Sequence, residues 1–167
     1  MLKEIIVING PAESGKDTFI ELVNKYAKVI NFSTIDKIKE IAKQIGWDGK
    51  KTEKDRKFLS DLKKLTTEYN DMAFKNTELA IKDFYQSDNE ILFIHIREPE
   101  EINRVVKQFK ALTLFLKRDS IEIIKSNSSD ANVGNYQYDY VINNSTLEKL
   151  DEQALHFVLK LKDGIGV

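Results

Sequence analysis

The chain has 167 residues, 41% of them hydrophobic and 32% charged, with no cysteine and a formal net charge of −1. This length fits one domain with a buried core, and 26 Lys+Arg against 27 Asp+Glu argue against general nucleic-acid coating or attraction to an acidic membrane. Without cysteine there is no disulfide framework, thiolate metal site or thiol nucleophile.

In chain order, the first apolar run is Ile5-Ile6-Val7-Ile8, far too short to span a bilayer. No basic stretch or cleavage-like site precedes it, so a cytoplasmic protein is expected. The turn Gly10-Pro11-Ala12-Glu13-Ser14-Gly15-Lys16-Asp17-Thr18 follows, and then Phe19, Leu22, Val23 and Tyr26 at helical spacing. A weaker strand, Val29 to Phe32, precedes a second helical pattern of Ile35, Ile38, Ile41 and Ile45. From Thr52 to Gln86, Phe58, Leu62, Leu65, Tyr69 and Met72 recur on one face, and Leu79, Ala80 and Phe84 continue it, predicting one long helix or two in succession. Ile91 to Ile94 and Leu112 to Leu116 are further strands, with a helix opening at Pro99 between them. The polar stretch from Ser126 to Tyr138 reads as a loop; Tyr140-Val141-Ile142 is the last strand, and an apolar helix carrying His156 ends the chain. Continuously apolar strands alternating with helices predict an α/β domain with a parallel sheet and right-handed crossovers.

The turn from Gly10 satisfies G-x-x-x-x-G-K between a strand and a helix. Glycines let the backbone curl so that its N–H groups point at phosphate oxygens, and the helix start adds partial positive charge. Lys16 supplies a mobile cation for the β- and γ-phosphates. Gly10, Glu13, Ser14, Gly15, Lys16, Asp17 and Thr18 are therefore the predicted ATP-binding residues. Asp17 stands where a Ser or Thr hydroxyl ordinarily meets Mg²⁺. A carboxylate beside a triphosphate is repelled unless a cation lies between them, so either Asp17 coordinates Mg²⁺, directly or through water, or Thr18 supplies the hydroxyl.

Gly-Lys-Asp-Thr in this turn resembles the bacteriophage-type deoxynucleoside monophosphate kinases, a branch of the P-loop nucleoside monophosphate kinases. The stretch Asp139 to Leu147 is similar to their final strand and the loop after it, and Lys54 to Lys63 to the substrate-side helices of some members. Animal phosphomevalonate kinase also carries a Gly-Lys-Asp turn, so the turn alone leaves the acceptor open. The resemblance implies a three-layer α/β P-loop NTPase/kinase fold, with a parallel sheet of about five strands ordered 2-3-1-4-5 and helices on both faces. It implies a single domain over 1–167, with a helical acceptor-binding region at 34–88 and a lid-like loop at 119–138. The implied activity is transfer of a phosphoryl group from ATP, with Mg²⁺, to a nucleoside or deoxynucleoside monophosphate. The partners would be small-molecule nucleotides, with no nucleic acid or membrane, and the chain a monomer or homodimer. Another small metabolite as acceptor, or nucleotide binding without transfer, are the alternatives.

Only four of the basic residues are arginine: Arg56, Arg97, Arg104 and Arg118. Arginine suits a phosphate clamp because its fork pairs two oxygens at once. Arg97 follows a strand at its C-terminal end, where α/β sheets place ligands, and in the resembling kinases an Arg there holds the acceptor phosphate. Glu98 beside it either assists Mg²⁺ or favours the helix start. Arg118 ends the strand from Leu112 and, by the resemblance, reaches the donor phosphates or stacks on the adenine, with an ordinary helix-start residue as the rival reading; Lys16, Arg97 and Arg118 are the predicted catalytic residues. Arg104 reads as solvent-facing. Residues 37 to 64 hold ten basic and five acidic side chains, either a field for an anionic acceptor or a solvated helix face. Within that stretch and just before it, the resemblance singles out Asp36, Arg56 and Lys63 as acceptor-binding, with helix capping as the rival role for Asp36. It also sets Asn143 and Asn144 beside the adenine.

No plain aspartate ends the strand from Ile91, since His95 and Arg97 occupy the places where a second metal ligand is expected. His95, bracketed by Ile94 and Ile96, reads as a structural strand histidine. Between Asp119 and Ser145 the only cation is Lys125, with Ser126, Asn127, Ser128 and Asn132 as weaker hydrogen-bond donors, so the lid-like loop is poor in charge.

Overall fold

Each apolar run forms a strand, and the central ones are covered on both faces, as the computed structural model shows over the residues it describes, 1–119 and 136–164. In β1 (Glu4–Asn9), Ile6 and Ile8 pack into one core cluster with Phe19, Val23 and Phe157, while Ile5 and Val7 pack into another with Ile81, Phe84 and Ile102. Alternate side chains of one strand thus serve two cores, so Ile5 to Ile8 are all apolar and the sequence reads there as a continuous apolar run. Each such large side chain contributes about 1.5–3 kcal/mol on burial.

β1 lies between β3 (Ile91–His95) and β4 (Leu112–Lys117), with β2 (Val29–Ser33) outside β3 and β5 (Tyr140–Asn143) outside β4. Every pairing is parallel, in the order β2-β3-β1-β4-β5 that the resemblance implies. Helices α1 (Lys16–Val23) and α6 (Leu147–Lys162) cover one face. Phe157 of α6 meets Phe19, Phe93 and Tyr140 at ring-centre distances of 5.8, 6.3 and 5.1 Å. Helices α4 (Met72–Gln86) and α5 (Pro99–Phe109) cover the other face through Ile81, Phe84, Ile102 and Val105. The three-layer fold that the resemblance implies, with the sheet between two layers of helices, is the fold observed. Among the described residues, no helix is long and apolar enough to cross a membrane.

The segment from Thr52 to Gln86 is two helices, α3 (Glu53–Asn70) and α4, broken where Asp71 takes a left-handed φ of 57°. Helix α2 (Asp36–Gln44) buries Ile38 and Ala42, and α3, which buries no residue, lies against α2 and α4. Arg104 is exposed, as the sequence reading expects, and from the surface it binds Asp71 at 2.7 Å with its guanidinium 3.5 Å from the centre of the Phe74 ring. It stitches α5 to the start of α4, and its half-exposed side chain reflects that lateral contact.

A parallel sheet brings the carboxyl ends of all five strands to one edge. β1 is central there, and the chain leaves β1 for β2 on one side and leaves β3 for β4 on the other, which opens a crevice at the end of β1.

Candidate nucleotide site

The loop after β1 is held from both sides. Asn9 is buried, and its Oδ1 accepts from the Gly10 N–H at 2.8 Å. Its Nδ2 donates to the Tyr138 hydroxyl at 2.9 Å and to the Arg97 carbonyl at 3.3 Å. Gly10 has no room for a side chain, because a Cβ there would collide with the Leu116 carbonyl oxygen of β4. Glu13 and Gly15 adopt left-handed φ values of 62° and 96°, which curl the backbone before α1. Across the loop, Asn144 Nδ2 donates to the Ser14 carbonyl at 2.9 Å, and its N–H donates to the Lys117 carbonyl at 2.8 Å.

The inside of this curl is polar and fits a phosphate. No side chain caps the start of α1, so its first amides carry the helix's positive end. The Ser14 Oγ is fully buried and has no hydrogen-bond partner. Lys16 Nζ donates to the loop's own carbonyls, Gly10 O at 2.8 Å and Pro11 O at 3.0 Å. The ammonium thus lies over the curl from which it would meet an anion.

Three elements converge beside the loop. Asp17 on the first turn of α1 accepts from Asn31 Nδ2 of β2 at 3.0 Å. Asn31 Oδ1 lies 2.7 Å from Nε2 of His95, the last residue of β3, and that nitrogen is also 3.6 Å from Asp17 Oδ1. Burial lowers the His95 pKa from 6.5 to about 4; Asp17 and Asp36 oppose the shift, and Lys16 and Arg97 add to it. The imidazole is therefore neutral at pH 7, and its approach to Asp17 is a dipolar contact rather than an ion pair. Lys16, Asp17, Asp36 and Arg97 thus all act on this one ring. His95, read from the sequence as structural, lies beside Asp17 and Asn31 at the mouth of the crevice.

Asp17 and the exposed Thr18 offer oxygen donors at the start of α1, the ligand chemistry that suits Mg²⁺. Among the described residues no three His, Asp or Glu side chains converge into a cage. Mg²⁺ needs none, since it is held through one or two carboxylates, water and the nucleotide's own phosphates.

The remaining predicted residues divide by position. Arg97 follows β3, its backbone tied to Asn9. Asp36 is the first residue of α2, and its Oδ2 accepts from the Ser33 N–H at the end of β2 at 3.2 Å. Lys63 is paired with Glu101 of α5 at 2.9 Å, the two side chains 20% and 34% exposed, so an acceptor must compete with that carboxylate for it. Arg56 is exposed on the first turn of α3, and Arg118 is exposed just past β4. Asn143 Nδ2 donates to Asp119 Oδ2 at 2.7 Å while its Oδ1 is buried without a partner. The expectations for Lys125, Ser126, Asn127, Ser128 and Asn132, and with them most of the lid-like loop, lie outside the described residues. A cleft of 470 Å³ lined by Leu2, Lys3, Glu90 and Leu161 opens at the opposite edge of the sheet and includes none of these residues.

No protein-family model and no curated protein matches this chain. Among solved structures it is similar to TT1252 from Thermus thermophilus, at 17% identity and a TM-score of 0.56, over 95% of this chain and 97% of that one. It is also similar to shikimate kinase from Aquifex aeolicus (15% identity, TM-score 0.46, 93% and 96% of the two chains). A sugar kinase from Janibacter is a third likeness (15%, 0.47, 100% and 99%). The likeness to TT1252 shows the fold. By sheet order and loop geometry that fold is the P-loop fold of nucleotide-binding proteins.

Proposed function

We propose that the chain transfers the γ-phosphoryl group of ATP to a nucleoside or deoxynucleoside monophosphate. The observation that carries the reading is the loop from Gly10 to Lys16: a curl closed to any side chain at Gly10, holding a partnerless buried hydroxyl at Ser14 and roofed by the Lys16 ammonium. A polyphosphate satisfies all three features at once. Arg97 at the end of β3, together with the sequence resemblance, favours a phosphorylated acceptor beside it.

In this reading the loop carrying Gly10, Glu13, Ser14 and Gly15 wraps the donor, and Lys16 exchanges its two loop carbonyls for β- and γ-phosphate oxygens. Mg²⁺, when bound with the nucleotide through Asp17 and Thr18, supplies charge neutralisation on those phosphates. Arg97 and Arg56 hold the acceptor phosphate with Asp36 and Lys63 nearby, and Arg118 offsets charge on the transferring group. Asn144 keeps the cradle in shape, and Asn143 borders the adenine. An oxygen of the acceptor phosphate forms a bond to the γ-phosphorus as the bond to the β,γ-bridging oxygen breaks, giving ADP and a nucleoside diphosphate. Positioning and charge do the work, since this chemistry needs little covalent help.

The test is ADP formation from ATP and Mg²⁺ with a panel of all ribo- and deoxyribonucleoside monophosphates. Turnover with one or a few of them is expected. Silence across the panel, with ATP binding shown separately, overturns the monophosphate acceptor and leaves another small metabolite or a binding role.

A further inference from the structure

We infer that this site carries its acidic metal ligand on the first turn of the helix after the phosphate loop instead of on the sheet, and that Asn31 and His95 are the positioning residues that aim it. In the common P-loop arrangement a hydroxyl follows the lysine and an aspartate from the sheet completes the metal site. Here the carboxylate follows the lysine, as Asp17, and β3 ends on the imidazole of His95. They remain neighbours, with Asp17 Oδ1 3.6 Å from His95 Nε2.

The hydrogen bonds between them run in one direction. The Asp17 carboxylate only accepts, so Asn31 turns its Nδ2 to it and donates to Oδ1 at 3.0 Å. Asn31 Oδ1 then faces His95 Nε2 at 2.7 Å and accepts from it in the tautomer protonated there. The chain His95 to Asn31 to Asp17 joins β3, β2 and α1, and it occupies one oxygen of a carboxylate whose side chain is otherwise 78% exposed. An exposed aspartate at a helix start would ordinarily sample several rotamers; this one is held over the mouth. Were Asp17 only favouring the helix dipole, it would need neither partner.

The placement has a consequence for ligand choice. A carboxylate next to the phosphate cradle repels a bare nucleotide and attracts a cation–nucleotide complex. The site is therefore built to select the divalent-metal complex over the metal-free nucleotide. This rests on the reading that the loop binds ATP.

The experiment is calorimetric titration of the protein with a non-hydrolysable ATP analogue, with Mg²⁺ and with EDTA, comparing the two affinities. Wild type is expected to bind the Mg²⁺ complex about tenfold or more tightly than the bare analogue. Asp17→Asn, isosteric at an exposed position, is expected to bind the bare analogue more tightly than wild type does and to bring the ratio to about threefold or less. A merely structural aspartate would not raise any affinity when removed. Asn31→Leu is expected to lower the ratio about threefold with the metal-free affinity unchanged. His95→Asp, which adds a second carboxylate beside the first, is expected to weaken metal-free binding further, and Asp17→Ser/His95→Asp to return the ratio to within about threefold of wild type. An unchanged ratio in Asp17→Asn, in protein that melts like wild type, overturns the inference alone. Failure of wild type to bind the analogue under either condition overturns the nucleotide site and the inference with it.

Discussion

At Gly10 the constraint comes from a neighbour that cannot yield. A Cβ would run into the Leu116 carbonyl, which belongs to the backbone of β4, and would lie 2.9 Å from Ser14 Oγ. Gly10→Ala must push the loop off β4 or strain it, at about 1–3 kcal/mol. Urea unfolding should show that loss, and calorimetry should show weakened ATP binding; a variant unchanged in both would refute the close-packed cradle. His95 sets a second expectation, in protein free of nucleotide and metal. Its pKa is about 4 in the fold against 6.5 for an unburdened imidazole, so between these values the unfolded chain binds the proton and the folded one does not. The stability that His95 contributes is thus complete above pH 6.5 and is lost as pH falls toward 4, by about 3 kcal/mol in total. The unfolding free energy of wild type should drop more steeply from pH 7 to 4.5 than that of His95→Asn. Parallel profiles would mean that the buried imidazole is not held neutral.

Helix α3 stands at the other extreme from the sheet, since it has 18 residues and none of them buried. Its local stability rests on its ends, above all on a capping box in which Thr52 Oγ1 accepts from the Asp55 N–H at 3.2 Å and Asp55 Oδ2 accepts from the Thr52 N–H at 3.0 Å. The Thr52 hydroxyl, which also donates to Asp55 Oδ2 at 2.6 Å, and then the Thr52 N–H hold the Asp55 carboxyl below its usual pKa. Thr52→Ala should remove about 1 kcal/mol, and since α3 is not part of either core the loss should be local. Hydrogen exchange should quicken about fivefold in the first turns of α3 and stay unchanged in β1 and β3; equal quickening in the sheet would show α3 to be coupled to global unfolding. The contrast between α3 and the sheet also explains what could be read in advance. β1, β3 and β4 were legible because burial on both faces leaves a continuous apolar run. β2 was faint because an edge strand carries polar Asn31 and Ser33 on the face that meets the site mouth. The break at Asp71 had no Gly or Pro to announce it; its left-handed turn comes with the bond from Arg104, 33 residues along the chain by number.

At the scale of the whole molecule, the sheet order gathers residues that the chain scatters. The phosphate loop was legible because its parts are consecutive, from Gly10 to Thr18. The chain from His95 through Asn31 to Asp17 was not, because its bonds span sequence separations of 64 and 14 and no local pattern joins them. Arg97 lies between these cases: its place after β3 was readable, but not that its carbonyl is fastened through Asn9 to the loop that would hold the donor. Since that fastening uses backbone, Arg97→Ala should leave the cradle intact and remove only the guanidinium. Donor and acceptor can then be separated by the stabilisation each gives. A ligand at a hundredfold its Kd stabilises the fold by about 2.7 kcal/mol, roughly 5–10 °C of melting temperature for a domain of this size. The Mg²⁺ complex of the ATP analogue should give that increment in wild type and in Arg97→Ala alike. The nucleoside monophosphate with the fastest turnover should give it in wild type and lose most of it in the variant, because a phosphate facing a missing guanidinium loses its bidentate, charge-assisted partner. If the acceptor's increment survives in Arg97→Ala, the acceptor phosphate is held elsewhere, and Arg56 on the first turn of α3 becomes the cation to replace next. If the donor's increment disappears as well, the side chain serves the loop, and the division of the mouth into a donor side at β1 and an acceptor side at β3 does not stand.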